Sequence, residues 1–207
     1  VLARATVVVE AGRIAAVGPD VRVPEWATVV DATGKTLLPG LIDSHTHVFG
    51  PALDQALVFG VTTELDMFTD HAMAAALRKA QAEGRASNRA DIFSAGTLVT
   101  APGGHGTEYG MPIPTITEPG QADAFVEARI AEGSDYIKIV YDNGHGYGRE
   151  LPTVSRETMA AVIAAAHKRG KLAVVHGHTL AEAREAIAAG ADSLIRLWLD
   201  ATGDDAF

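Results

Sequence analysis

Two histidines stand two residues apart at the end of an apolar segment, Leu38-Pro-Gly-Leu-Ile-Asp-Ser-His-Thr-His47. Side chains alternate between the two faces of a strand, so the imidazoles of His45 and His47 project to the same side. Two neutral imidazoles that converge at the carboxyl end of a strand form half of a divalent metal site. The alternative interpretation is a pair of surface or core histidines that bind nothing.

Lys138 is the second candidate, because it interrupts the otherwise apolar or aromatic strand segment Tyr136-Ile-Lys-Ile-Val-Tyr141. A buried ammonium without a partner is costly, so such a lysine is usually neutralised, paired or chemically modified. A neutral amine can form a Schiff base or react with carbon dioxide to give a carbamate, an anionic oxygen ligand that can bridge two cations. The alternative is an edge-strand lysine whose amine reaches water.

Three further histidines follow strand-like or loop segments. His176 ends the apolar run Leu172-Ala-Val-Val and is expected to point into the same cavity as His45. His178 lies at the strand-to-helix junction, where it could orient a substrate or cap a backbone group. His105 lies in the loop Pro102-Gly-Gly-His-Gly106, which could line an active site or could simply be a glycine-rich turn.

Composition excludes several classes of protein. The 207 residues are 47% hydrophobic and 21% charged, which is typical of a globular protein. Cysteine is absent, so neither disulfides nor thiolate metal sites are available. A net charge of -9 argues against nucleic acid or an anionic membrane as a partner. No apolar run approaches a membrane span and no signal peptide opens the sequence, so we expect a cytoplasmic protein.

The order of local patterns predicts an α/β fold. In residues 1–38, three short β-branched runs separated by turn residues indicate a small antiparallel sheet: Thr6 to Glu10, Arg13 to Val17 and Thr28 to Asp31. From Leu41 onward, strands near 41–48, 60–67, 91–99, 136–141, 171–176 and 191–196 alternate with helices near 70–83, 121–132, 156–169 and 179–190. This alternation fits either a doubly wound sheet or a (β/α)₈ barrel.

The barrel is favoured, because no glycine-rich phosphate fingerprint follows the first strand. Residues 39–207 are nevertheless fewer than the roughly 250 of a complete barrel, and only six of its eight strands are visible. We therefore expect a chain that is incomplete at its C-terminal end. Its first residue is Val1 rather than methionine, so we also expect that its N-terminus is trimmed.

Four segments taken together resemble the amidohydrolase superfamily, in particular its imidazolonepropionase-like and prolidase-like branches. They are LLPGLIDSHTHV, the lone lysine in an apolar strand, VVHGHT before a helix, and AGADSLI. The resemblance implies a TIM-type barrel in residues 39–207 and part of a flanking β-sandwich in residues 1–38. It also implies hydrolysis of a C–N bond, in an amide, peptide-like or cyclic amide group, by a metal-activated hydroxide.

The resemblance also implies roles for individual residues. His45 and His47 would bind the more buried metal, and carboxylated Lys138 would bridge it to a second metal held by His176. Zinc is the expected ion, with one or two per site, and Lys138 and His176 are the expected catalytic residues. His105, His178 and Arg196 are the expected substrate-binding residues.

Two departures from the family pattern affect this interpretation. A histidine is usual at the end of the sixth strand, where this sequence has Arg196, and a guanidinium cannot ligate a cation. The eighth-strand aspartate of the family has no counterpart before Phe207. The alternative function is therefore an impaired relative that binds a ligand or a partner chain, and a third is a lyase that uses Lys138 as a Schiff-base nucleophile. The expected partners are a small-molecule amide and either further copies of the chain or a complementing C-terminal segment.

Overall fold

The structure is a computed structural model, and it describes residues 2–203. The chain divides into two compact units, one that ends at Pro39 and one that begins at Gly40. No helix among the described residues has the length and apolarity that crossing a membrane requires.

The smaller unit contains one antiparallel hairpin. Strand β1, Thr6–Glu10, pairs with β2, Arg13–Gly18. The turn between them places Ala11 at φ 48° and Gly12 at φ 74°, and two positive φ values match the right-handed twist of the flanking strands. These two strands lie where the sequence predicts them.

The prediction of a third strand in this unit, Thr28 to Asp31, is wrong. That segment has no regular secondary structure, and its two valines are largely exposed, Val29 at 72% and Val30 at 81%. β-Branched residues favour a strand only where a neighbouring strand supplies hydrogen bonds and packing. Within this unit no strand pairs with the segment.

The described part of the larger unit contains six parallel strands, which follow one another in chain order. They are β3 Leu41–Thr46, β4 Val61–Asp66, β5 Asp91–Ser94, β6 Ile137–Val140, β7 Ala173–His176 and β8 Ser193–Leu194. They form two three-stranded sheets, β3-β4-β5 and β6-β7-β8. An isolated parallel bridge between Val99 and Ile139 joins the segment after β5 to β6. All carboxyl ends of these strands therefore point the same way, which is the arrangement that brings their terminal side chains together.

Helices connect the strands, as expected for parallel pairing. They are α1 Ala52–Val58, α2 His71–Ala82, α3 Ala122–Ala131, α4 Arg156–His167 and α5 Leu180–Ala188. Four of them match the predicted helices, whereas the seven-residue α1 was not predicted. The predicted alternation of strands and helices is thus confirmed as a mixed α/β fold.

Side-chain caps determine where three helices begin. The Asp70 carboxylate accepts the Met73 N–H at 2.8 Å, and the Ser155 hydroxyl accepts the Thr158 N–H at 3.1 Å. Before α5, Thr179 and Glu182 form a reciprocal capping box. Each cap satisfies backbone donors that the first turn of a helix leaves unpaired.

The core is unevenly distributed over the strands. Every residue of β6 and β7 is buried, and the apolar side chains of these strands pack against α3 and α4. By contrast, β3 ends the order of its sheet, and its Leu41 and Ile42 are 62% and 63% exposed. The sequence predicts an apolar strand at β3, but burial also requires a neighbour on the second edge, and no described strand supplies one.

Candidate active site

The first group of candidate residues lies at the end of β3. The imidazole rings of His45 and His47 face each other at 5.7 Å between centroids. His45 is half-buried, whereas His47 is exposed. The two-residue spacing therefore brings both rings to one side, as predicted.

Backbone carbonyls fix the orientation of both rings. The Nδ1 atom of His45 lies 2.7 Å from the carbonyl oxygen of Ile195, and that of His47 lies 3.0 Å from the carbonyl oxygen of Phe68. A carbonyl only accepts, so each Nδ1 carries the proton and each Nε2 of the neutral ring presents a lone pair. The Nε2 of His45 is buried without a hydrogen-bond partner among the described residues.

The electrostatic surroundings keep these rings neutral. Burial, followed by the charges of Lys138 and Arg196, lowers the pKa of His45 to about 4. Burial also lowers the pKa of His47, and the same two charges add to that effect. Neutral imidazole is the form that binds a metal ion.

Lys138 lies inside the larger unit, on β6, with only 2% of its surface exposed. Burial, followed by the charge of Arg196, lowers the pKa of Lys138 to about 8, and the charge of Asp66 opposes this shift. The charge of Lys138 in turn lowers the pKa of His45, His47 and His176. Lys138 thus acts electrostatically on the histidines of both β3 and β7.

A second group of residues lies at the ends of β6 and β7. His176 is 1% exposed, and neither of its ring nitrogens has a hydrogen-bond partner among residues 2–203. Its Nε2 lies 3.3 Å from Oδ2 of Asp142, in a direction that makes no hydrogen bond. Burial lowers the pKa of His176 to about 4. This ring is therefore buried and neutral, and its lone pair accepts no hydrogen bond from a described residue.

Asp142 anchors the neighbouring histidine. Its Oδ2 accepts hydrogen bonds from Nδ1 of His178 at 2.9 Å and from the Tyr147 hydroxyl at 3.0 Å, and its Oδ1 accepts the Gly144 N–H at 2.8 Å. Burial raises the pKa of this carboxyl, but the nearby His176 and these donors outweigh burial and lower it below its usual range. Asp142, His176 and His178 also have potential ligand atoms within 4.8 Å of one another. The hydrogen bond to Asp142 accounts for the closeness of His178, whereas His176 approaches both residues without a hydrogen bond.

The loop that carries His105 approaches the second group. Its ring lies 5.0 Å from that of His176, and its Nδ1 donates to Oε1 of Glu108 at 2.6 Å. Gly106 has φ +103°, and a Cβ there would lie 2.8 Å from the Leu98 side chain. Glycine is thus required for the loop to pack against Leu98 in this conformation.

One cavity of about 560 Å³ connects most of these side chains. Its polar lining residues are His47, His105, Glu108, Tyr109, Lys138, Tyr147, Arg149, His176, His178 and Arg196. Of the predicted site residues, His45 alone is absent from this lining; it lines an adjoining apolar cavity together with Arg196. The structure therefore gathers the predicted residues at the carboxyl ends of the strands.

Sequence reasoning missed two carboxylates of the site. Asp142 lies two residues after the end of β6, and a carboxylate near the carboxyl end of a parallel strand is a signal that could have identified it. Glu182 is 5% exposed, and it accepts the N–H groups of Asn143, His178 and Thr179. The capping-box pattern identified its helix start but not its contact with the loop after β6.

The residues fit a divalent cation. His45 and His176 offer buried nitrogen atoms that no described group satisfies, and His47 has its Nδ1 occupied by a carbonyl. Backbone or carboxylate partners on the second ring nitrogen are typical of metal-binding histidines. A donor set of imidazoles and oxygen, without thiolate, suits zinc and similar divalent ions.

Comparisons with known proteins point to one family. A sequence model of the "Amidohydrolase family" matches residues 28–102. The dihydroorotase of Mycobacterium tuberculosis is 49% identical over 53 residues, which are 26% of this chain and 12% of that protein. The imidazolonepropionase of Arthrobacter sp. is 50% identical over 48 residues, which are 23% of this chain and 12% of that protein.

The likeness extends further in solved structures. A Bifidobacterium longum protein assigned as a prolidase superposes with a TM-score of 0.77 and 29% identity, over 92% of this chain and 48% of that one. The chain thus spans about half the length of this solved relative. The family model, the sequence relatives and this structure thus all relate the chain to the amidohydrolase superfamily.

Proposed function

We propose that this chain carries the metal-binding part of a hydrolase that cleaves a C–N bond, in an amide, peptide-like or cyclic amide group of a small molecule. The observation that carries the proposal is the pair His45 and His47. Both rings have Nδ1 bound to a backbone carbonyl, and both are neutral, so their Nε2 atoms are ready to bind a metal. The named relatives, a dihydroorotase and an imidazolonepropionase, support the reaction class.

The metal ligands of this proposal are His45, His47, Lys138 and His176, with zinc as the ion. The unsatisfied nitrogens of His45 and His176 support the choice of these two residues. The buried position of Lys138 at the centre of β6 supports its inclusion. The metal would supply Lewis acidity toward the carbonyl group and would lower the pKa of a water molecule.

Lys138 binds this metal as a carbamate. A bare ammonium repels a cation, whereas carboxylation by carbon dioxide converts the amine into an anionic oxygen ligand. Burial disfavours the ammonium form and so favours the neutral amine that reacts with carbon dioxide. In this proposal Lys138 and His176 are the catalytic residues, because they contact the reacting centre through the ion.

The remaining residues hold and orient the substrate. His105 and His178 line the cavity, and each has its Nδ1 hydrogen-bonded to a carboxylate, which leaves Nε2 to face a ligand. Asp142 positions His178, and it fixes which ring nitrogen carries the proton. Arg196 contributes a fixed positive charge to the same cavity.

The fold that goes with this function is a (β/α)₈ barrel, of which residues 39–207 supply six strands, and residues 1–38 are part of a β-sandwich. The parallel order of β3 to β8 supports the barrel. The exposed apolar residues of β3 and the open apolar cavity between β3 and β8 support a covering element, either a further chain segment or a second copy. Sedimentation of the chain as a compact monomer would contradict this part of the proposal.

The experiment that tests the function combines metal content with hydrolysis. The chain is purified with zinc, its metal is quantified by mass spectrometry, and product formation is followed for a dipeptide, an N-acyl amino acid and a cyclic amide. We expect bound zinc and hydrolysis of at least one of these substrates. Removal of the zinc with a chelator should abolish that hydrolysis. If the protein holds no zinc after purification with added zinc, the proposal is overturned.

A second candidate function is that of a relative that binds a metal but does not hydrolyse a substrate. Arg196 favours this candidate, because amidohydrolases usually have a histidine ligand to a second metal at this position. Bound zinc with no hydrolysis of any substrate class would support this candidate. The lyase alternative requires a Schiff base on Lys138, which borohydride would trap in the presence of a carbonyl substrate.

A further inference from the structure

The cavity that contains Lys138 is rich in positive charge, although the whole chain carries a net charge of -9. Lys138, Arg149 and Arg196 line it, together with four histidines. Glu108 supplies the one carboxylate among the lining residues in the described part of the chain. Both oxygens of Glu108 already accept hydrogen bonds, from His105 and from the Gly106 N–H. The guanidinium groups of Arg149 and Arg196 are therefore not paired with a carboxylate of the lining.

Arg196 acts on the centre of this cavity. After burial, its charge contributes to the lowered pKa of His45, His47 and Lys138, which lie at the end of β3 and on β6. Arg196 lines the same cavity as Lys138 and His176, which locates it at the site rather than on an outer face. The residue is exposed, so solvent and small ligands can reach it.

The guanidinium of Arg196 forms no ion pair with an acidic residue in the part of the chain that the structure describes. The arginines that form ion pairs within residues 2–203 are Arg78, Arg85, Arg129 and Arg169. Neither Arg149 nor Arg196 belongs to that set. Two arginines thus line one cavity, and neither forms an ion pair with a described carboxylate.

Arginine presents two parallel N–H donors that match the two oxygens of a carboxylate. A guanidinium placed among neutral imidazoles and a buried amine repels a cation but attracts an anion, and the low-dielectric walls of a cavity strengthen this attraction. Its geometry and charge thus suit an anionic group on the ligand itself.

We infer that Arg196 is a carboxylate-binding residue and that the ligands of this cavity are amides that carry a carboxylate group. The inference deepens the proposed function, because it rests on the same cavity and names the substrate class. A carboxylate held by Arg196 leaves the amide of the same molecule near the histidines. A neutral amide lacks that anchor and binds less tightly.

Calorimetry with a matched pair of probes tests the inference. N-Acetylglycine carries an amide and a carboxylate, whereas N-acetylglycinamide has the same size without the charge. Both are titrated into the chain with zinc and into the chain treated with chelator. We expect N-acetylglycine to bind at least about tenfold more tightly than N-acetylglycinamide, since hydrogen bonds to charged groups are strong. Added salt should weaken the binding of N-acetylglycine alone.

Three variants identify the residue responsible. Arg196→Gln should reduce N-acetylglycine affinity by about tenfold and leave N-acetylglycinamide affinity unchanged, while Arg196→Lys should retain part of the preference. Arg85→Gln is the control, since Arg85 pairs with Glu83 on the surface. Circular dichroism confirms that each variant is folded, and if Arg196→Gln is not, Arg196→Lys carries the comparison. Equal binding of the two probes, or unchanged affinity in a folded Arg196 variant, would overturn the inference.

Failure of this inference is distinguishable from failure of the proposed function. Arg196-dependent binding of N-acetylglycine by a chain that holds no zinc would support the inference and contradict the metal-dependent function. Bound zinc and hydrolysis of a neutral amide, with equal binding of the two probes, would support the metal-dependent function and contradict the inference about Arg196.

Discussion

The Nδ1 atom of His45 lies 2.7 Å from the carbonyl oxygen of Ile195, although the two residues are 150 positions apart in the chain. His45 is the penultimate residue of the first parallel strand, β3, and Ile195 follows the last one, β8. The proton position on a proposed metal ligand is thus set by the far end of the parallel strand order. Ile195 immediately precedes Arg196, so one segment both orients His45 and delivers the guanidinium.

Removal of either histidine of β3 should weaken metal binding. We expect His45→Ala and His47→Ala each to reduce zinc affinity by more than about tenfold, because each loses an oriented nitrogen ligand. Competition with a chromophoric chelator measures the change. His71→Ala is the control, since His71 is an exposed residue at the start of α2. Wild-type affinity in both β3 variants would show that the metal is held elsewhere.

Lys138 should be carboxylated in the zinc-bound protein. Protein prepared with ¹³C-labelled bicarbonate should give a carbamate carbon resonance, and Lys138→Ala should remove both that signal and the bound zinc. Lys79→Ala, on α2, should change neither. A short carboxylic acid added to Lys138→Ala should restore some zinc binding, because it supplies the missing oxygen ligand. Stoichiometric zinc together with an unmodified Lys138 would contradict the prediction.

Glu182 should stabilise the site by joining two loops. One of its oxygens accepts the Asn143 N–H at 2.9 Å, and the other accepts the N–H groups of His178 and Thr179 at 2.9 and 3.0 Å. Glu182→Gln places an amide donor against these donors, so we expect a loss of about 1–3 kcal/mol in the free energy of unfolding, measured with urea. Glu127→Gln, on the exposed face of α3, should cost much less. Equal stability of the two variants would refute this role.

Asp66 should make stability depend on pH. It is fully buried, and burial raises its pKa from 3.8 to about 6, against hydrogen bonds from Ser94 and the Val48 N–H. A raised pKa in the folded state gives stability that is present below about pH 4 and lost as pH rises through about 6. The free energy of unfolding of metal-free Asp66→Asn, compared with that of wild type, should therefore improve by about 2–3 kcal/mol between pH 4 and 7.

Urea unfolding at four pH values between 4 and 7 provides the comparison. Asp91→Asn, at the exposed first position of β5, serves as the matched substitution and should run parallel to wild type. A constant difference between Asp66→Asn and wild type over this range would show that Asp66 titrates alike in the folded and unfolded chains.

The sequence predicts the strands of the larger unit well, because parallel strands between helices are buried runs bounded by caps and glycines. Spacing by two predicts that His45 and His47 share a face, since that follows from strand geometry alone. Thr28 to Asp31 has the composition of a strand but lacks a partner, and pairing is a property of the fold rather than of the segment. The position of Asp142 after β6 is a local signal, but Glu182 owes its role to contacts across two loops, which no local pattern encodes. The assignment of metal ligands stays a prediction.

Arg196 should limit the number of metal ions in the site. It lines the same cavity as Lys138 and His176, and its charge lowers the pKa of Lys138, His45 and His47. A guanidinium about 4–5 Å from a divalent cation opposes it by several kcal/mol at an effective dielectric near 20. We therefore expect about one tightly bound zinc per chain.

Arg196→His removes the repulsion and adds a ligand nitrogen, so bound zinc should rise towards two, as measured by mass spectrometry of the metal. Arg196→Gln separates the two effects, because it removes the charge without adding a ligand that zinc favours. Two equivalents of zinc with Arg196 intact would show that its guanidinium turns away from the metal-binding residues.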